Sequence, residues 1–275
     1  VIVKKGTRHE WRERDEDGEV YFVRAVHFGG RWEFFRRANT GRQFKDEEEW
    51  YPMDPVPLFC LRSLLEVLEA KYTRKRLGWE TVERVAQLIE DHPELHFRRP
   101  LLDLLSEYGE RHEEEAKTIR RYRDFVIEHV DCFQREQLKG HVTASAWIVD
   151  PPGRRVLLTH HRKLDRWLQP GGHADGVTDV LEVALKEARE ETGIPSFEVV
   201  GEGLFDVDIH GIPEHGGVPP HDHYDARFLF RAGSTECVVS DESHDLAWVS
   251  LDDLESYTEE ESMLRMRDKC IALIG

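Results

Sequence analysis

Gly171-Gly172-His173-Ala174-Asp175-Gly176-Val177-Thr178-Asp179-Val180-Leu181-Glu182-Val183-Ala184-Leu185-Lys186-Glu187-Ala188-Arg189-Glu190-Glu191-Thr192-Gly193-Ile194 reads as a glycine loop, a short helix and a glycine stop. Asp179 and Glu182 have capping-box spacing, which predicts a helix starting near Val180. Gly193 stands where a left-handed C-terminal cap belongs. Leu181, Ala184, Leu185 and Ala188 fall on one helical face. Glu187, Glu190 and Glu191 fall on another, because positions i, i+3 and i+4 are neighbours. Three crowded carboxylates repel one another unless a cation sits among them. A hard divalent ion such as magnesium, which prefers oxygen ligands, meets that need. Glu-x-x-Glu-Glu alone is usually a solvated helix face. Here the glycine pair before it, the glycine stop after it and strand-like stretches on both sides single it out.

On these residues the stretch resembles the Nudix box, whose pattern is G-x5-E-x7-R-E-U-x-E-E-x-G-U with U aliphatic. Glu187, Ala188, Glu190, Glu191, Gly193 and Ile194 match the end of the pattern, and Gly172 matches its opening. Thr178 stands where the pattern has its first glutamate, and Lys186 stands where it has arginine. In the family those two residues mainly support the loop and helix, whereas the three glutamates kept here bind metal. The resemblance implies Mg2+ or Mn2+ held by Glu187, Glu190 and Glu191, with the Gly172 carbonyl as a further ligand. It implies metal-assisted attack of water on a phosphoanhydride bond, in a nucleoside diphosphate linked to another group. A general base is also required. Glu191 is one candidate; Glu242, in the loop before Trp248, is the other, since Nudix enzymes often place a base in a late loop. Thr178 and Lys186 keep a second reading open, a catalytically weak nucleotide-sensing module whose amino-terminal part contacts nucleic acid.

Outward from the box, the composition sets bounds. The chain has 275 residues, 39% hydrophobic and 34% charged, which suits one large or two modest soluble domains. No apolar run reaches the length of a membrane span, and Val1–Gly6 is too short and too soon charged for a signal peptide. Cys60, Cys132, Cys237 and Cys270 are scattered without a C-x-x-C pair. They read as reduced thiols of a cytoplasmic protein. A net charge of −17 argues against nonspecific nucleic-acid binding by the whole chain. A bound divalent ion reverses the local field and lets a small polyanionic nucleotide approach.

Three segments are expected. Residues 1–92 form a small α+β domain: a β-meander with a turn at Asp15–Gly18 and a hairpin at Gly29-Gly30, then a polar loop from Asn39 to Pro57 and helices at about 58–74 and 81–90. Arg12, Arg14, Arg24, Arg36 and Arg37 with Trp11, Tyr21, Trp32 and Phe34 are either a basic aromatic surface or an ordinary half-buried sheet, and strand alternation favours the latter. Residues 93–139 form a helical extension packing on the catalytic domain through Ile119, Tyr122, Phe125 and Val126. Residues 140–275 alternate strands, one internal helix, strands and a terminal helix. That order gives a mixed sheet between helices and resembles the Nudix α/β/α sandwich.

A second constellation is rich in histidine: Asp208, His210, His221, Asp222, His223, Tyr224 and Asp225, with His160, His161 and His173 elsewhere. His221 and His223 alternate, so they share a strand face. Three uses stay open: a substrate cleft in which His173, His210, His221, His223 and Asp225 contact the nucleotide, a plain polar loop, or a transition-metal site, which imidazole favours.

Overall fold

The computed structural model describes residues 7–14, 20–38, 49–214, 216–241 and 243–274. The turn read at Asp15–Gly18 and the first half of the polar loop lie outside them. The chain divides into two compact units, one ending at His96 and the other beginning at Phe97.

In the first unit, strands β1 (Thr7–Arg14), β2 (Val20–Phe28), β3 (Arg31–Ala38) and β4 (Tyr51–Pro52) form an antiparallel sheet in that order. Gly29 and Gly30 join β2 to β3 with φ of +59° and +78°, the pair of positive angles that a two-residue hairpin turn requires. Helices α1 (Leu58–Thr73) and α2 (Trp79–Glu90) follow. Register puts His9, Trp11, Val23, Ala25 and Phe34 on one face. Helix α1 covers that face, since Ser63 donates to Glu13 at 2.5 Å and Lys71 lies 2.7 Å from His9 Nδ1. Arg12, Arg24 and Arg37 point to the other face, over Phe22 and Trp50. The arginines and aromatic residues grouped in the sequence thus divide between two faces, because the β period is two.

The second unit holds helices α3 (Arg99–Arg111) and α4 (Ala116–Glu128), then β5 (Gly140–Val149), β6 (Arg155–His161), β7 (Arg166–Leu168), β8 (Gly171–His173), α5 (Val180–Thr192), β9 (Phe197–Val199), β10 (Asp206–Ile212), β11 (His221–Ala232), β12 (Ser243–Ser250) and α6 (Glu261–Ile274). The sheet runs β10-β11-β5-β6-β12, with β7 on β6, β8 on β5 and β9 on β11. It is mixed: β5 and β11 are parallel and the other pairs are antiparallel. A parallel pair needs a crossover connection, and α5 lies within it.

Strand β5 is buried along its whole length. One of its faces packs Trp147 and Val149 with Leu229 of β11 and with Met263, Met266 and Cys270 of α6. Its other face presents Ala144 and Ala146, small side chains that let α5 lie close along it. Helix α4 docks on β11: Tyr122 donates to the Tyr224 carbonyl at 2.7 Å, and Phe125 stacks on the Tyr224 ring. Arg98, 1% exposed, donates to the Val126 and Ile127 carbonyls near the end of α4, satisfying groups that a helix terminus leaves open. No helix among the described residues is long and apolar enough to cross a membrane.

Candidate functional site

The loop and helix that opened the sequence form as their local signals demand. Asp179 accepts from the Leu181 and Glu182 amides at 3.1 Å each. Gly193 closes α5 with φ +69° and donates to the Arg189 carbonyl. The loop before the helix is tied by backbone bonds from Ala174 to Val142 and from Gly176 to Phe133. Arg135 clamps the Asp175 carboxylate with two donors and holds its pKa below the ordinary value. These ties stand in a box that has Thr178 and Lys186 in place of its usual supporting glutamate and arginine.

The three helix carboxylates are not equivalent. The sequence placed them on a face apart from the apolar stripe, but Glu191 continues the buried stripe of Val180, Val183, Ala184 and Ala188, and Glu187 is half-buried. Leu181 and Leu185 are only half-buried. The reason lies in strand β8, whose backbone meets this stripe. Glu191, 6% exposed, accepts the Gly171 amide at 2.8 Å, so a buried carboxylate finds a partner. Glu187 lies directly against Gly172: a methyl group there would fall 2.6 Å from its carboxyl carbon. Glu190 is more open, and the Lys186 ammonium lies 3.1 Å from both it and Glu187. The carboxylates hold that cation's pKa above its usual value.

The opposite face of the sheet carries three polar rows, since directly paired residues on neighbouring strands point the same way. The innermost row is Asp206, Arg227 and Ser145 on β10, β11 and β5. Asp206, fully buried, accepts from Arg227 at 3.1 Å, Arg265 at 2.9 and 2.8 Å, and Lys269 at 2.6 Å. Burial pushes its pKa up, but the bonds from Arg265 and the charges of Arg227 and Lys269 outweigh it and the net shift is down. The next row is Asp208, Asp225 and Thr143. Asp225 accepts from Thr143, Ser145 and Arg227 at 2.8–2.9 Å. Its carboxylate is 3% exposed, so it orders the sheet from within.

The outer row is His210, His223 and His141. His221, two residues before His223, joins them, as does His173 from β8. His141 was missing from the sequence reading. Its signal was its position at the start of a buried strand, but only register reveals its partners. Burial and neighbouring imidazoles pull the pKa of His141 down to about 4 and that of His223 down to about 2. Burial pulls the same way at His210, but the hydrogen bond it donates to Asp208, with the charges of Asp225 and Asp208, outweighs it and raises the pKa. His160 and His161 are engaged elsewhere: His160 stacks on Trp167, and His161 accepts from the Leu164 amide. Glu242, the alternative base, lies outside the described residues.

Residues 139–270 match the family described as NUDIX domain. This part of the chain is a NUDIX domain. Among solved structures, an Ap4A hydrolase from C. elegans in a binary complex is 20% identical with a TM-score of 0.38, over 48% of this chain and 95% of that one. A NUDIX-family hydrolase from Clostridium perfringens is 26% identical with a TM-score of 0.38, over 48% of this chain and 97% of that one. A MutT protein from Methanosarcina mazei Go1 is 18% identical with a TM-score of 0.39, over 50% and 96%. No curated protein matches the chain. Within the NUDIX domain the helix carboxylates and the histidine row belong to opposite faces. Gly172 turns toward α5 and His173, its neighbour on the same strand, turns away.

Proposed function

We propose that the NUDIX domain hydrolyses a phosphoanhydride bond of a nucleoside diphosphate linked to another group, with Mg2+ or Mn2+ as cofactor. The observation that carries this reading is the Glu187 carboxylate pressed against the Gly172 backbone, with a side-chain ammonium 3.1 Å from both Glu187 and Glu190. That cluster already draws in a cation, and its donors are the oxygens a hard dication prefers. Glu187, Glu190 and Glu191 with the Gly172 carbonyl would hold the ion. When bound it supplies positive charge for the diphosphate and acidity for water.

The chain's own residues do the rest. Arg135 and Asp175 fix the loop beside the carboxylates. One oxygen of Glu191 is committed to the Gly171 amide, which orients its carboxylate as either metal ligand or base. Glu242 is the second candidate base. His173, His210, His221 and His223 lie on the face opposite the carboxylates, so the part of the nucleotide they would contact is the one away from the metal-held diphosphate. The hydrogen bond that His210 donates to Asp208 raises its pKa and favours its protonated form relative to the other rings of the row, which suits contact with phosphate. The same ammonium that marks the cation site favours a second reading, a module that binds nucleotide with little turnover, because Lys186 already pairs with two of the carboxylates.

A panel of nucleoside triphosphates, nucleotide sugars, ADP-ribose and dinucleotides, assayed with Mg2+ and with Mn2+, separates the two. The hydrolase reading expects turnover of at least one class, cut about 10³-fold by Glu190→Gln or Glu191→Gln without loss of fold. Near-normal turnover in both variants overturns the carboxylate assignment. Saturable nucleotide binding with no turnover anywhere in the panel selects the second reading.

A further inference from the structure

The histidine cluster is more than a polar rim. His141 sits at the start of β5, 3% exposed; among the described residues neither ring nitrogen has a partner at full hydrogen-bond geometry, and only the Gln137 backbone comes near it. His223 Nε2 is buried and also lacks a partner among the described residues. A buried polar atom without a partner is costly and rare, and it calls for an explanation. The explanation is in what faces it. One ring nitrogen from each of His141, His173 and His223 lies within 4.8 Å of the other two. The three ring centroids are 4.8–5.1 Å apart.

We propose that His141, His173 and His223 form a binding site for a first-row transition-metal dication, Zn2+ in the first instance, distinct from the carboxylate site on the other side of the sheet. Three imidazoles and no carboxylate make a donor set that suits such an ion and not Mg2+. Zinc–nitrogen bonds of 2.0–2.1 Å place tetrahedral ligands about 3.4 Å apart. Closing the cluster from its present spacing to that one requires rotation of the rings about their side-chain bonds. Three strands supply the ligands: His223 and His141 are register partners on β11 and β5, and His173 lies on β8, which pairs with β5. A scaffold of paired strands fixes their spacing before the ion arrives. Three protein ligands leave a fourth position open, the arrangement that admits water or a ligand oxygen. His210 and His221 flank the cluster within ring contact of His223.

The test uses the full, untagged chain, stripped with a chelator and dialysed against ZnCl2 in the presence of excess MgCl2, with bound metal measured by atomic absorption. One equivalent of Zn2+ is expected, together with a visible absorption band of tetrahedral nitrogen coordination when CoCl2 replaces zinc. His173→Gln and His223→Gln should each weaken zinc binding by at least about 10²-fold. His173 is only half-buried, so its variant tests the site even if substitution elsewhere in the cluster harms folding. Glu190→Gln should keep the full equivalent. Absence of bound zinc in the wild-type chain overturns the proposal. So does an unchanged equivalent in the His173→Gln/His223→Gln double variant, or loss of zinc in Glu190→Gln, which would move the ion to the carboxylates. The outcome is independent of whether any nucleotide is hydrolysed.

Discussion

Two rows of the same sheet face, four residues apart along β11, answer burial in opposite ways. Around Arg227 every carboxylate has its counter-charge: Asp206 has Arg227, Arg265 and Lys269, and Asp225 has Arg227 with two hydroxyls. Around His223 the polar atoms face one another instead, and among the described residues ring nitrogens of His141 and His223 lack a partner at full hydrogen-bond geometry. Burial favours paired charges in the first row and neutral rings in the second. A saturated row is architecture; a row with ligand atoms left over is a place for something else to bind.

That contrast breaks first at Arg227. Replacing it with methionine leaves two buried carboxylates short of a cation, and a loss of about 3–5 kcal/mol is expected, measured by urea unfolding. A loss under about 1 kcal/mol would show that the inner row is not held by this charge.

His9, in the other unit, sharpens the comparison, because it is a buried histidine with lysine instead of imidazoles beside it. Burial, then the charge of Lys71, lowers its pKa to about 4. The unfolded chain protonates near pH 6.5, so it binds more protons than the folded chain between 6.5 and 4. The stability contributed by neutral His9 is therefore complete above pH 6.5 and is lost as pH falls toward 4, on the order of 1–3 kcal/mol. Unfolding curves at pH 7 and pH 4.5, compared with those of His9→Gln, check this. Equal pH slopes in the two proteins count against it.

Smaller effects test the local signals and the leftover atoms. Asp179→Ala removes the cap of α5 and should cost about 1 kcal/mol, read as a lowered thermal midpoint. His141→Leu in the metal-stripped chain should shift stability by less than about 1 kcal/mol in either direction, because it exchanges unpartnered polar atoms for apolar ones. A large loss there would mean that His141 is part of the architecture after all.

How much of this was legible in the chain depends on range. The helix from Val180 to Thr192, its Asp179 cap and its Gly193 stop rest on hydrogen bonds within a few residues, so sequence spacing is enough. The hairpin at Gly29-Gly30 is local in the same way. The helix face was misread because the spacing of Glu187, Glu190 and Glu191 says which side chains are neighbours, and not which stripe meets the β8 backbone. The aromatic and arginine residues of the first sheet were grouped by proximity in sequence, and pleating separated them.

The sequence by itself determined the loop, the helix, the carboxylates at its end and the family to which they belong. Each depends on local periodicity and on a motif of short span. Only the tertiary structure decided that Glu191 is buried on the Gly171 amide, that Asp225 is enclosed by Arg227 and two hydroxyls, and that His141 meets His173 and His223. The contacts that join different strands, those of His141 and those of Asp225 with its two hydroxyls, are 32 to 82 residues apart in the chain, and strand register, which sets them, is fixed by the packing of the whole sheet and not by any stretch alone.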